Sequence, residues 1–220
     1  MKFVERILKS IWKSINNFKT YNKDNPEDLG IMGEFLIENE LYKTNTIYGK
    51  VVHNIYLQKE DGTTTEIDII YITQHGIYVI ESKNYNGWIF GNYKYKNWTV
   101  TYKTGLKKQL YNPIWQNNTH IKYLKKYLPN ANEKAFFSIV VFSDTMKIKN
   151  LVNDFNITKT NVINMNCLND LITRNAMNNK PIYSPADVDQ ISTYLYTNFG
   201  NINDNIKKSH IDNIKNQYGN

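Results

Sequence analysis

Residues 65–83 constrain this chain more than any other stretch: two short runs rich in Ile, Val and Tyr, turned on Gly76. Each run is too short for a typical helix and is bounded by polar turn residues, so the pair predicts a β-hairpin. Side chains alternate across a strand, which puts Ile77, Val79, Glu81 and Lys83 on one face, and Glu66, Asp68, Ile70 and Ile72 together on the partner strand. Carboxylates and an ammonium thus prolong an apolar, core-facing row. Charges in a half-buried strand are costly unless they are paired or hold a metal ion.

Both ways of meeting that cost fit the spacing. Asp68 and Glu81 face each other if the strands pair across Gly76. Two carboxylates, waters and a substrate phosphate would complete an octahedral magnesium site. Lys83, roughly 7 Å beyond Glu81 on the same face, would orient an attacking water or offset phosphate charge, as phosphodiester hydrolysis requires. The alternative is a salt bridge from Lys83 to Asp68 or Glu81. Spacing alone leaves the two open.

Other chemistries find no support. His53, His75, His120 and His210 have no zinc-ligand spacing, and each reads singly as structural or exposed. A nucleophile elbow, a P-loop and a dinucleotide glycine fingerprint are all missing, against serine hydrolase, NTPase and dehydrogenase readings. The single Cys167 excludes an internal disulfide and reads as a buried thiol in a reducing compartment. A net charge of +7 points to a polyanionic partner, although a surplus of this size spread over a whole surface also occurs in proteins that bind no nucleic acid. No run approaches the roughly 18 apolar residues of a membrane span. Glu5, Arg6, Lys9 and Lys13 interrupt any signal-peptide core. The expectation is a cytoplasmic protein, peripheral to the membrane if its N-terminus binds there.

Along the chain, residues 1–21 place Val4, Ile7, Leu8, Ile11, Ile15 and Phe18 at helical spacing opposite lysines. This basic amphipathic helix covers its own core or, alternatively, meets a membrane surface or protein partner through residues 1–20. A linker to residue 25 follows. Residues 26–200 form the main domain and 201–220 a polar tail. Pro26 opens a helix in which Gly33 permits close approach to another element and Glu34, by spacing alone, is solvated. Strands are expected over 46–57, 87–91 and 97–102, with aromatics such as Tyr85, Trp88, Tyr93 and Tyr95 bracing the sheet rather than stacking on bases. Asn112 and Pro113 cap a helix to about Leu128 that sets Gln116 and His120 on one face. Its Lys122, Lys125 and Lys126 are a solvated face or a phosphate-binding patch. A strand buried on both faces over 135–142, a shorter one over 161–165 and two further helices complete the pattern.

In order, Gly33-Glu34, Glu66-Ile67-Asp68, Gly76 through Gly87 and Asn112-Pro113-Ile114-Trp115-Gln116-Asn117 resemble the nuclease-related domain (NERD) family of the PD-(D/E)XK nuclease superfamily. The resemblance covers residues 30–128 and departs at Ile67, where the superfamily pattern has proline. It implies an α/β fold with a restriction-endonuclease-like αβββαβ core, a mixed sheet flanked by helices. It implies a magnesium- or manganese-dependent nuclease acting on nucleic acid, DNA ahead of RNA. Carried over by position, Asp68 and Glu81 hold the metal, Glu34 assists, Lys83 acts on the water and Gln116 contributes from the following helix. A domain can keep a fold and lose its reaction, so a non-catalytic nucleic-acid-binding or interaction module is the second expectation.

Overall fold

The computed structural model describes residues 26–44 and 47–200. The expected N-terminal amphipathic helix and the polar tail both lie outside the described residues. The chain runs α1 (Pro26–Tyr42), β1 (Gly49–Gln58), β2 (Thr64–Thr73), β3 (Gly76–Lys83), β4 (Gly87–Asn92), β5 (Asn97–Thr101), β6 (Lys107–Tyr111), α2 (Pro113–Tyr127), β7 (Phe136–Phe142), β8 (Met146–Val152), α3 (Phe155–Thr158), β9 (Thr160–Asn164), α4 (Leu168–Asn178) and α5 (Pro185–Phe199).

The expected hairpin is the centre of a five-stranded sheet of order β1-β2-β3-β7-β9. β1, β2 and β3 are antiparallel, whereas β7 and β9 join in parallel, so the sheet is mixed. Helices cover both faces, as near-continuous apolar strands demand. Ile70, Ile72, Ile77 and Val79 pack beneath Leu124 of α2 and Val188 and Leu195 of α5. Ile69, Tyr71, Tyr78 and Ile80 pack against Ile37 and Leu41 of α1 and Leu168 and Ile172 of α4. Each fully buried Leu or Ile contributes about 1.5–3 kcal/mol. The α/β class and the αβββαβ order follow the expectation.

A second, four-stranded sheet of order β6-β5-β4-β8 is inserted beside this core. β4 and β5 were expected, but β6 and β8 were not. Along β6 three successive residues, Lys107, Lys108 and Gln109, are exposed, so an edge strand of this kind carries almost no apolar signal. Cys167 is also exposed, contrary to expectation. Met165 and Leu168 take the buried positions around it and the thiol points outward.

α2 is fixed at two points. The Asn112 side chain accepts from Ile114 N at 3.0 Å and caps the helix. The buried Asn117 amide donates to Val79 O and to Ser138 Oγ, each at 2.9 Å. These bonds lock the helix across β3 and β7, directly over the charged end of β3.

Candidate active site

The alternation of β2 breaks at Asp68. Ile67 packs with Ile70 and Ile72, whereas Ile69 lies on the opposite side with Ile37. Asn54, which stands across from Asp68 between the pairs His53–Ile69 and Ile55–Ile67, has a φ of 51°. This left-handed residue marks the same irregularity on the partner strand. The β2–β3 ladder ends at Ile69–Ile80, and Asp68 Oδ2 instead accepts the backbone N–H of Ser82 at 2.9 Å. Asp68 is therefore anchored where the strands part. Glu66 does not share the row of Ile70 and Ile72 as expected, because it pairs with Tyr56, from whose OH its carboxylate accepts. Tyr56 lies between Ile55 and Leu57 and so points away from their side of the sheet.

Glu81 is only 1% exposed and makes two charge-assisted contacts. Lys83 Nζ donates to its Oε1 at 2.5 Å, and His120 Nε2–H donates to its Oε2 at 2.9 Å. Gln116 Oε1 accepts from Lys83 Nζ at 3.3 Å. His120, itself 4% exposed, has its other ring nitrogen 2.7 Å from Thr65 Oγ1. Thr65 is a donor to neutral imidazole or an acceptor from imidazolium, and in both states Nε2 carries the proton that Glu81 receives.

Glu34 comes from α1 on the other side of the sheet. A Cβ on Gly33 would stand 2.7 Å from Asn84 Cβ and 2.9 Å from Ser82 Oγ, so only glycine lets α1 approach this closely. Asn84 Nδ2 donates to Leu29 O at 2.8 Å and holds the contact. Glu34, the next residue, is brought near enough for its charge to act on both Asp68 and Tyr56.

The electrostatics separate the two carboxylates. Loss of water, then the charges of Glu81 and Glu34, push the Asp68 carboxyl well above the usual range, and Lys83 offsets only part of this. Burial works against the Glu81 charge too, but Lys83 and His120 outweigh it and hold the carboxyl below its ordinary value. Burial likewise disfavours the Lys83 ammonium, yet Glu81, Tyr85 and Asp68 raise its pKa above normal, so it stays protonated. Among the described residues, no three His, Cys, Asp or Glu side chains form a ready-made metal cage.

The structure thus gathers Glu34, Asp68, Glu81, Lys83 and Gln116 around one end of β3, from α1, β2, β3 and α2. A model of the nuclease-related domain family matches residues 29–143 of the 220. The chain belongs to that family. An uncharacterized protein of Bacillus anthracis is 35% identical over 139 residues, which are 60% of this chain and 63% of the relative, so less than two thirds of that protein is spanned. No solved structure matches. Among the described residues, no helix is long and apolar enough to cross a membrane.

Three expected binding residues of this nuclease-related domain lie elsewhere. Lys122, Lys125 and Lys126 occupy the later turns of α2, where Lys126 pairs with Glu60 in the β1–β2 turn. Lys122 lies 5.5 Å from the Tyr123 ring centre and Lys125 5.3 Å from that of Phe136. His120 is the site residue that a one-at-a-time reading of histidines misses. Its signal was the i, i+4 spacing from Gln116, which sets both on the face of α2 turned to β3.

Proposed function

We propose that this nuclease-related domain hydrolyses phosphodiester bonds of nucleic acid, DNA ahead of RNA, with magnesium or manganese. The observation that carries the reading is Asp68. Its carboxylate is held by Ser82 N–H, and burial first, then the charges of Glu81 and Glu34, disfavour its ionised form, a cost that a cation would relieve. The oxygen donors suit a hard cation. Magnesium commonly takes only one or two carboxylates plus waters and substrate phosphate, so a full protein cage is not required.

Asp68 and Glu81 would hold the ion, with Glu34 beside them. Bound there, the ion would supply positive charge at the scissile phosphate and would favour deprotonation of the attacking water. Lys83, protonated as long as Glu81 faces it, is a donor to the attacking water or to a non-bridging oxygen, not a base. Gln116 steers the Lys83 ammonium, and His120 fixes the rotamer of Glu81.

One observation favours a second reading, a nucleic-acid-binding module without catalysis. The Lys83–Glu81 pair at 2.5 Å satisfies both charges with no ion present. Cleavage of plasmid and single-stranded substrates with magnesium or manganese separates the two. Wild type cleaves, and Asp68→Ala and Lys83→Ala lose cleavage while staying folded. Equal cleavage by all three forms would assign the activity to a contaminant. Binding without cleavage by any form would leave the binding module.

A further inference from the structure

Between Ser82 and Asn132 the chain carries nine lysines and no Asp, Glu or Arg. Three of these lysines lie in the later turns of α2 and one is Lys83. The other five, Lys94, Lys96, Lys103, Lys107 and Lys108, all stand on the inserted second sheet and its turns, and all are exposed. None has an acidic partner among the described residues. A block of like charge that nothing neutralises raises the local potential and calls for an external polyanion.

The position of β6 says where that polyanion would lie. β6 is an edge of its sheet, and it connects toward the candidate site through Tyr85 at its start and through α2 at its end. At the start, Lys108 Nζ is 5.6 Å from the centre of the Tyr85 ring, and Tyr85 N–H donates to Lys83 O at 3.2 Å. At the far end, Tyr111 leads through Asn112 into the first turn of α2, which carries Gln116, the partner of Lys83. Aromatic rings are interleaved with the lysines. Tyr95 is 65% and Trp115 37% exposed, so both offer ring surface to a ligand. The Trp115 indole N–H donates to Tyr93 O at 2.8 Å, which holds its ring beside the β4–β5 turn. Basic side chains alternating with aromatic faces suit single-stranded nucleic acid, whose phosphates are paired and whose bases are stacked. Edge protection by lysine explains Lys107 and Lys108 but not the turn lysines 94, 96 and 103.

We propose that the β4–β6 sheet is a platform that holds a single nucleic-acid strand along the β6 edge, its phosphates on Lys103, Lys107 and Lys108, and leads it past Tyr85 to Lys83. This rests on the proposed phosphodiester chemistry. Its test is binding, which needs no turnover.

Fluorescence anisotropy with a labelled single-stranded oligonucleotide in EDTA, over a series of salt concentrations, compares wild type with the triple variant Lys103→Gln, Lys107→Gln, Lys108→Gln. Each single-strand phosphate contact contributes a slope of about 0.7 in log K against log salt, so the triple variant loses about 2 in slope and about 100-fold in affinity at 0.1 M salt. Trp115→Ala, at constant charge, weakens binding without changing the slope. Unchanged affinity and slope in a folded triple variant overturns the platform, and self-association of that variant with unchanged binding assigns the lysines to edge protection. Lysine-dependent binding of duplex but not of single strands also overturns it, as does lysine-dependent binding to phosphatidylserine vesicles with no oligonucleotide binding. Lysine-dependent binding by a protein that never cleaves keeps the platform and removes the nuclease. Cleavage with lysine-independent binding does the reverse.

Discussion

Asp68 and Glu81 are adjacent acids whose removal has opposite consequences for stability. Glu81 is 1% exposed and receives Lys83 and His120, so Glu81→Ala leaves an ammonium that is 13% exposed and an imidazole that is 4% exposed without their acceptor. Breaking a buried pair from one side costs about 3–5 kcal/mol. At about 2–4 °C per kcal/mol for a chain of this size, Tm falls by about 6–20 °C. Asp68→Asn keeps an oxygen for Ser82 N–H and removes a charge that faces Glu81 and Glu34, so without metal Tm holds or rises. Because the folded pKa of Asp68 is raised, its contribution is fully present below the unfolded value and is lost as pH rises through the folded one. The advantage of Asn over wild type therefore grows with pH. Saturating manganese at about 100 times Kd adds about 2.7 kcal/mol to wild type, and nothing comparable to Asp68→Asn. Circular-dichroism melts in EDTA and in manganese across neutral pH read all of this. If Asp68→Asn in EDTA loses as much as Glu81→Ala, the carboxylate is stabilising and the argument for a cation at Asp68 fails.

His120→Ala strips a donor from buried Glu81 and costs about 1–3 kcal/mol. It also weakens manganese binding by about 10–100-fold, as loss of an outer partner of a ligand does, and isothermal titration reads this without turnover. Gly33→Ala drives a Cβ into Asn84 and Ser82, costing about 1–3 kcal/mol and lowering manganese affinity by displacing Glu34; unchanged melting and binding would show that α1 does not need the close contact. Ser184→Ala removes the capping box at the start of α5 and lowers Tm by about 2–4 °C. Ser184 also holds the Asp187 carboxyl below its usual value, so this support is present above the unfolded pKa and lost as pH falls through the folded one. Wild type and Ser184→Ala should therefore converge in acid, which melts at pH 6 and pH 3 would check.

The apolar runs made the central sheet readable, because β3 and β7 are buried on both faces and have no competing period. The helix starts were readable from their chemistry: Asn112-Pro113 supplies a cap and a proline, and Pro185 opens α5, whose Ser184 cap the structure adds. β6 and β8 stayed hidden for the converse reason. An edge strand needs only one apolar face, and β6 turns most of its five residues to solvent. Cys167 shows a similar limit: a small apolar residue beside Met165 and Leu168 looks buried until the turn geometry assigns the inward positions to its neighbours.

Within the site, period-two reasoning placed Glu81 and Lys83 in the row of Ile77 and Val79, where they lie, but carried the row of Ile70 and Ile72 through Asp68 to Glu66, which faces Tyr56 instead. Such reasoning assumes an unbroken pleat, and β2 departs from it at Asp68. Without that break Asp68 would continue the Ile70 and Ile72 row against α2, and its carboxylate would have no backbone donor. With it, the strands part and Ser82 N–H turns from the ladder to the side chain. The gap is reached from both sides of the sheet, by Glu34 at the glycine contact of α1 and by Gln116 and His120 from α2. The departure from regular pairing is thus what makes the acids of three elements neighbours. A sequence whose local preferences agreed everywhere with an ideal hairpin would fold this sheet and lose the site.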